Sequence, residues 1–229
     1  MEKFISIFLL KYLEDTVKIV YEGGQGEIIE KKSRFICTVK KIATEEEALE
    51  FVNEIKKKYW DARHNCMAYV LGDRNEIARF SDDGEPQGTA GKPMLDVITV
   101  KDIHNVAVVV TRYFGGILLG TGGLIRAYQS AVNEGLANSV IIERFDGIKY
   151  SVITDYNGMG KIQYIINMEG YHLLDTIYTD NVEMIVVVEN DKCQAFENKI
   201  TEVTAARAII TSVNNVSYGI SGNGDYIEL

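Results

Sequence analysis

From Ser81 to Leu95 the chain reads SDDGEPQGTAGKPML, which places three carboxylates, three glycines and both of its prolines in one short stretch. Neighbouring carboxylates can act as acid and base or hold a metal, and Asp82, Asp83 and Glu85 are the candidates for such work. Proline fixes φ and glycine opens the left-handed region, so the same residues also specify one loop shape. A binding loop and a rigid structural loop both fit. A nucleotide P-loop is excluded: five positions before Gly91-Lys92 stands Pro86 instead of glycine, and Pro93 takes the place of the magnesium-binding Ser or Thr.

The second segment is RYFGGILLGTGGLIRAY, Arg112 to Tyr128. It leads from an apolar strand through glycines into a helix expected over Leu124 to Leu136, after a Thr121-Gly122-Gly123 turn. That layout gathers free backbone N–H groups at the positive end of a helix dipole, a physical basis for binding an anion. A Rossmann turn is excluded, because after Gly120 and Gly122 the third glycine position holds Ile125. Arg126, in the first helical turn, needs a negative neighbour. An external phosphate or acidic partner would supply one, and so would an internal carboxylate from Asp82, Asp83 or Glu85. On the binding reading Arg112 and Arg126 contribute charge, Tyr113 and Phe114 offer stacking faces, and Thr121, Gly122 and Gly123 present backbone donors.

His64 and Cys66 stand two apart at the start of an expected strand, so they share a face, as a Cys/His nucleophile or a metal corner would require. Plain buried packing of the cysteine is the competing reading. No second Cys or His pair exists to complete a metal site, so neither metal nor cofactor is expected. His104 and His172 are isolated and read as structural.

The three cysteines, Cys37, Cys66 and Cys193, are odd in number and show no Cys-x-x-Cys spacing, which argues against a disulfide framework and fits a reducing cytoplasm. The apolar run Phe4 to Leu10 is too short to span a bilayer, which takes roughly 20 residues, and lacks a signal-cleavage site. The net charge is −9, unevenly spread: residues 145–229 hold five Lys and Arg against twelve Asp and Glu. Non-specific polyanion binding over the whole surface is therefore disfavoured, and a local basic surface fits only the first part of the chain.

Two regions must position these groups. In the first, Ser33 to Val39, His64 to Leu71 and Asn105 to Arg112 read as strands, the last so apolar that it should be central and covered on both faces. Thr44 reads as an N-cap, followed by Glu45, Glu46 and Glu47 at the positive end of a helix that runs to Lys58. In the second, Lys149 to Thr154, His172 to Thr179, Val182 to Glu189 and Ala208 to Tyr218 read as strands. Helices are expected over Gly158 to Met168 and Asp191 to Thr204, and the resulting order βαββαβ is ferredoxin-like. The tail from Gly219 should fray. The chain is thus expected to be α+β, of the α/β sandwich type, with domains at 17–144 and 145–220.

EKKSRF at Glu30 to Phe35, Ala-x-His-x-Cys-x-Ala-Tyr at Ala62 to Tyr69 and the two glycine-rich blocks closely resemble the YigZ/IMPACT family over residues 17–137. The resemblance implies an IMPACT-type N-terminal domain with a ribosomal-protein-like α/β fold. It also implies a small C-terminal domain similar in fold to the last domain of elongation factor G. The first twelve residues look like an extension beyond the family's usual start. Eukaryotic relatives are linked to control of translation through the amino-acid-starvation kinase pathway and act by binding. They carry an additional N-terminal partner-binding module that is not expected here, so only the loop region carries over.

Two functions remain open from the sequence. One is a non-enzymatic cytoplasmic regulator or translation-associated factor that meets RNA, the ribosome or a protein through its glycine-rich loops. The other is a hydrolase or transferase for a small phosphorylated or peptide-like substrate, with Asp82, Asp83 or Glu85 as acid, base or metal ligand and His64 beside them.

Overall fold

The computed structural model describes residues 17–221 and 224–229, so the apolar run Phe4 to Leu10 and the proposed extension lie outside the described residues. The chain divides into two compact units, one formed by Thr16–Glu143 and the other including Arg144–Leu229.

The first unit contains β1 (Val17–Glu22), β2 (Gln25–Glu30), β3 (Ser33–Lys41), α1 (Glu45–Lys58), β4 (His64–Leu71) and β5 (Ile77–Ser81). They are followed by α2 (Gly91–Val100), β6 (Ile103–His104), β7 (Val106–Tyr113) and α3 (Thr121–Ala137). Five strands form an antiparallel sheet in the order β2-β3-β7-β4-β5, and β1 pairs in parallel with β6. β7 is central, as its unbroken apolar run predicts. Its alternate residues divide between two cores: Val106, Val108 and Val110 pack with α2 and α3, Ala107 and Val109 with α1. Helices therefore cover both faces of the sheet, and the mixed α+β class expected from the sequence is the one observed.

Local chemistry sets the helix boundaries. Thr44 caps α1 by accepting a hydrogen bond from Glu47 N at 3.2 Å, with three glutamates in the first turn and three lysines in the last. One helix and one boundary differ from expectation. No helix was expected where α2 stands; it begins at Gly91, inside the stretch read as a loop, so Pro93 sits in a first helical turn, where a missing N–H costs no helical bond. α3 begins at Thr121, so Thr121, Gly122 and Gly123 form its first turn and the preceding turn lies at Phe114 to Gly120.

The second unit contains most of β8 (Val140–Thr154), then α4 (Tyr156–Glu169), β9 (His172–Tyr178), β10 (Val182–Glu189), α5 (Cys193–Val203), β11 (Ile209–Ile220) and β12 (Tyr226–Glu228). The sheet order β9-β10-β8-β11-β12 carries the βαββαβ succession, with α4 and α5 on one face. Asp155 caps α4 through Gly158 N at 2.6 Å, and Gly170, at φ 72°, ends it in the left-handed conformation. The tail does not simply fray: Gly219 and Ile220 belong to β11, and β12 pairs back on it because Tyr226 joins an aromatic cluster with Tyr218 and Phe145. Among the described residues no helix is long and apolar enough to cross a membrane.

His172 packs in that cluster, 5.3 Å from the Tyr218 ring centroid and 5.9 Å from that of Tyr226. Burial holds its pKa below the ordinary histidine value, against the opposing pull of Glu189. A depressed folded pKa means that the neutral ring's stabilisation is complete above about pH 6.5 and is lost as pH falls through the folded value. Urea unfolding from pH 7 down to 5 should therefore show a steeper stability loss in the wild type than in His172→Phe.

Candidate functional site

The acidic loop that follows β5 closes on itself and on the sheet. The Asp82 carboxylate accepts hydrogen bonds from Gly88 N at 2.9 Å, Ala90 N at 3.1 Å and Gly91 N at 2.8 Å, and so caps the otherwise uncapped start of α2. Asp83, at φ 44°, accepts from Asn65 N and from Lys56 Nζ, each at 2.7 Å, while its carbonyl lies 2.8 Å from His64 Nδ1. Glu85 is buried and accepts from Arg112 Nη1 at 2.6 Å and Tyr128 Oη at 2.9 Å, with His64 Nε2 4.0 Å away. The β4–β7 register, with His64 opposite Arg112, brings these side chains together at one end of the sheet.

The structure thus unites His64, Asp82, Asp83, Glu85 and Arg112 as a braced cluster, with Glu85 and Arg112 buried and the other three half-buried around them. Arg112 does not supply surface charge: it is buried, with its guanidinium carbon 5.3 Å from the Phe35 ring centroid and 5.6 Å from that of Phe114. Neither do His64 and Cys66 pair. Cys66 Sγ lies 3.0 Å from Asp82 O and 3.3 Å from Tyr128 Oη, and burial pushes its pKa up to about 12, which leaves a neutral thiol instead of a nucleophile. Burial also raises the Tyr128 hydroxyl, which stays protonated and can donate to Glu85. Tyr128 was not singled out from the sequence, where it only ends the second glycine-rich segment.

The remaining candidates lie on the exposed side. Arg126 does not pair with Asp82, Asp83 or Glu85, because those carboxylates are engaged elsewhere; among the described residues its guanidinium makes no hydrogen bond or ion pair. It lines a cavity of ≈ 290 Å³ with Ile28, Glu30, Lys31, Leu119 and Gly123 among its neighbours. Thr121 and Gly122 are exposed in the first turn of α3, whose N-cap, Gly120, has no side chain to offer. Tyr113 donates to Asp61 at 2.8 Å and has the Arg34 guanidinium beside its ring.

Two backbone features shape this side. Lys31 and Lys32, at φ 45° and 68°, form the two-residue turn between β2 and β3, a position that favours Asn-Gly. The Phe114 to Gly120 loop is held against that turn at Gly115, whose N–H donates to Ser33 Oγ at 3.1 Å. A Cβ at Gly115 would stand 2.0 Å from the Lys32 carbonyl carbon, so only glycine fits. On either side of this anchor the loop exposes Phe114, Ile117 and, at 83%, Leu118.

Removing one partner of the Glu85–Arg112 pair leaves a buried charge without compensation, a loss of about 3–5 kcal/mol. Glu85→Ala should lower chemical-denaturation stability by that amount, whereas Glu85→Leu combined with Arg112→Met should lose less than Glu85→Ala alone. Cys37, Cys66 and Cys193 are all buried free thiols, so a maleimide reagent should modify the native protein slowly and the urea-unfolded protein at once.

Residues 31–136 match the Impact N-terminal domain, and residues 152–207 match a domain of unknown function, DUF1949. The chain is 44% identical over 191 residues to the IMPACT family member YvyE of Bacillus subtilis, covering 83% of this chain and 88% of the relative. It is 36% identical over 174 residues to the IMPACT family member YigZ of Escherichia coli, covering 75% and 85%. A crystal structure of a hypothetical protein superposes with a TM-score of 0.56 at 31% identity, covering 87% of this chain and 98% of the other. On sequence, domain content and fold together, the chain belongs to the IMPACT family.

Proposed function

We propose that the chain is a non-enzymatic, cytoplasmic, translation-associated regulator that acts by binding RNA, the ribosome or a translation-related protein through the exposed side of its glycine-rich loops. One observation carries this reading. Asp82, Asp83 and Glu85, the groups that a hydrolase or transferase would need, are engaged by three backbone N–H groups of the α2 start, by Asn65 N and Lys56, and by Arg112 and Tyr128. What faces solvent is a pinned apolar loop flanked by Lys31, Lys32 and Arg126, with Glu30 lining the same cavity as Lys31 and Arg126, a surface suited to recognition. Membership of a family whose eukaryotic relatives are linked to translational control supports the choice of partner. The buried, unpaired thiols are consistent with a reducing compartment.

Co-sedimentation with ribosomes tests it. The wild type should pellet with ribosomes in a salt-sensitive manner, and Lys31→Glu combined with Arg126→Glu should reduce the bound fraction about tenfold, roughly the effect of removing two phosphate-type contacts. Equal sedimentation of both proteins, or of neither, sinks the reading. Phosphatase or peptidase turnover that disappears in Asp82→Asn at unchanged stability would restore the hydrolase.

A further inference from the structure

The C-terminal end of α1 and the strand ends beside it form a surface that the glycine-rich segments do not explain. Trp60, the chain's single tryptophan, is 83% exposed, although tryptophan is highly buried on average. Beside it, Lys58 Nζ stands 5.1 Å from the Tyr59 ring centroid. Asp61, the next residue, accepts the Tyr113 hydroxyl at 2.8 Å and so ties this turn to the end of β7.

The sheet register extends the surface. Arg34 lies opposite Tyr113 on β3, its guanidinium carbon 5.7 Å from the ring centroid. On the other side of β7, His64 lies opposite Arg112, which places the exposed Arg63 beside the Tyr113 position. The period of two along a strand sends Tyr113 and its neighbours to the α1 face while Arg112 turns into the braced interior. Across the strand ends Tyr113 therefore lies between Arg34 and Arg63, and Trp60 precedes the Asp61 that accepts its hydroxyl.

Two acids on this face are ion-paired, Glu27 with Arg34 at 2.8 Å and Asp83 with Lys56 at 2.7 Å, while Asp61 accepts the neutral Tyr113 hydroxyl and keeps its charge. Among the described residues Lys57, Lys58 and Arg63 form no ion pair. A helix C-terminus accounts for lysines, but not for an exposed tryptophan or for arginines from β3 and from the bend just before β4.

We propose that this edge binds a single-stranded polynucleotide, its bases stacking on Trp60 and Tyr113 and its phosphates meeting Lys57, Lys58 and Arg63. An acidic peptide would use the cations but leave the rings idle, so the combination favours nucleic acid. The inference deepens the reading above by naming the chemistry of a partner; it shares Tyr113 with the second glycine-rich segment and otherwise rests on different residues.

The single tryptophan provides the readout. The full chain is titrated with short oligouridine, with oligothymidine of equal length and with polyglutamate while Trp60 emission is followed. Oligouridine should quench it, less so as salt rises. Lys58→Ala with Arg63→Ala should weaken binding about tenfold and reduce the slope of log affinity against log salt by about 1.4. With labelled oligonucleotide, Trp60→Ala should weaken binding by a similar factor. Equal quenching by oligothymidine supports the polynucleotide class without ribose recognition, and quenching by oligouridine alone supports RNA.

No quenching by either oligonucleotide overturns the inference, and so does equal quenching by polyglutamate, which would give the edge to an acidic protein. Loss of oligonucleotide binding in Lys31→Glu with Arg126→Glu, with none in the Lys58 and Arg63 variant, also overturns it by moving the contact to the loop. If that loop variant keeps its oligonucleotide affinity, the edge stands whether or not ribosome association survives.

Discussion

Glu85 and Arg112 meet at 2.6 Å where their side chains retain 3% and 7% of their exposure. A charge pair removed from water to that degree is retained only if its geometry compensates for desolvation. Here the compensation is partial: Tyr128 adds a second donor to the carboxylate, two rings flank the guanidinium, and Arg112 Nε is buried without a hydrogen-bond partner. The pair joins the acidic loop after β5 to the central strand, and Tyr128 extends the joint into α3. Both glycine-rich segments take their positions from it.

That constraint separates the two functional readings more sharply than the residue types do. A carboxylate serves as acid, base or metal ligand only if its lone pairs are available to substrate; Asp82 and Asp83 accept from protein donors at both oxygens, and Glu85 does so at Oε1. Asp82 satisfies the N–H groups that open α2, so its charge is part of a helix cap. With these acids engaged, what is left for a partner is the neighbouring Phe114 to Gly120 loop, pinned at Gly115 to Ser33 beside the β2–β3 turn, whose apolar side chains stay in water at a defined place. A surface held in one shape loses little entropy on binding, which favours recognition.

Much of the fold was legible from periodicity and capping because those signals are local. β7 read as central from five consecutive apolar residues, α1 from Thr44 and the charge gradient behind it, and the second unit from its alternating periods. β1, β2 and β5 were missed because short strands with VKIVYE, QGEIIE and IARFS patterns bury few residues, and pairing with neighbours, not their own sequence, holds them. The site was half legible. Composition identified the residues that meet, but no one-dimensional pattern tells which carboxylate an arginine chooses. Arg112 and Arg126 looked alike in the sequence; strand pleat and helix phase then buried the first against Glu85 and left the second beside a cavity.

The same alternation explains how one end of a sheet can hold a rigid interior and a recognition surface without either compromising the other. Along β7, Val110 and Arg112 face the α2 and α3 side, while Val109 and Tyr113 face α1. A charge needed for structure therefore lies one residue from a ring available to solvent, and a one-residue slip would exchange them. The register is fixed by apolar packing farther along the strand, where Val106 to Val110 are fully or almost fully buried on both sides. Core packing that has no contact with any partner thus decides which side chains a partner meets, and substitutions that shift this strand should alter recognition and stability together, whereas changes at Trp60 or Arg126 should alter recognition alone.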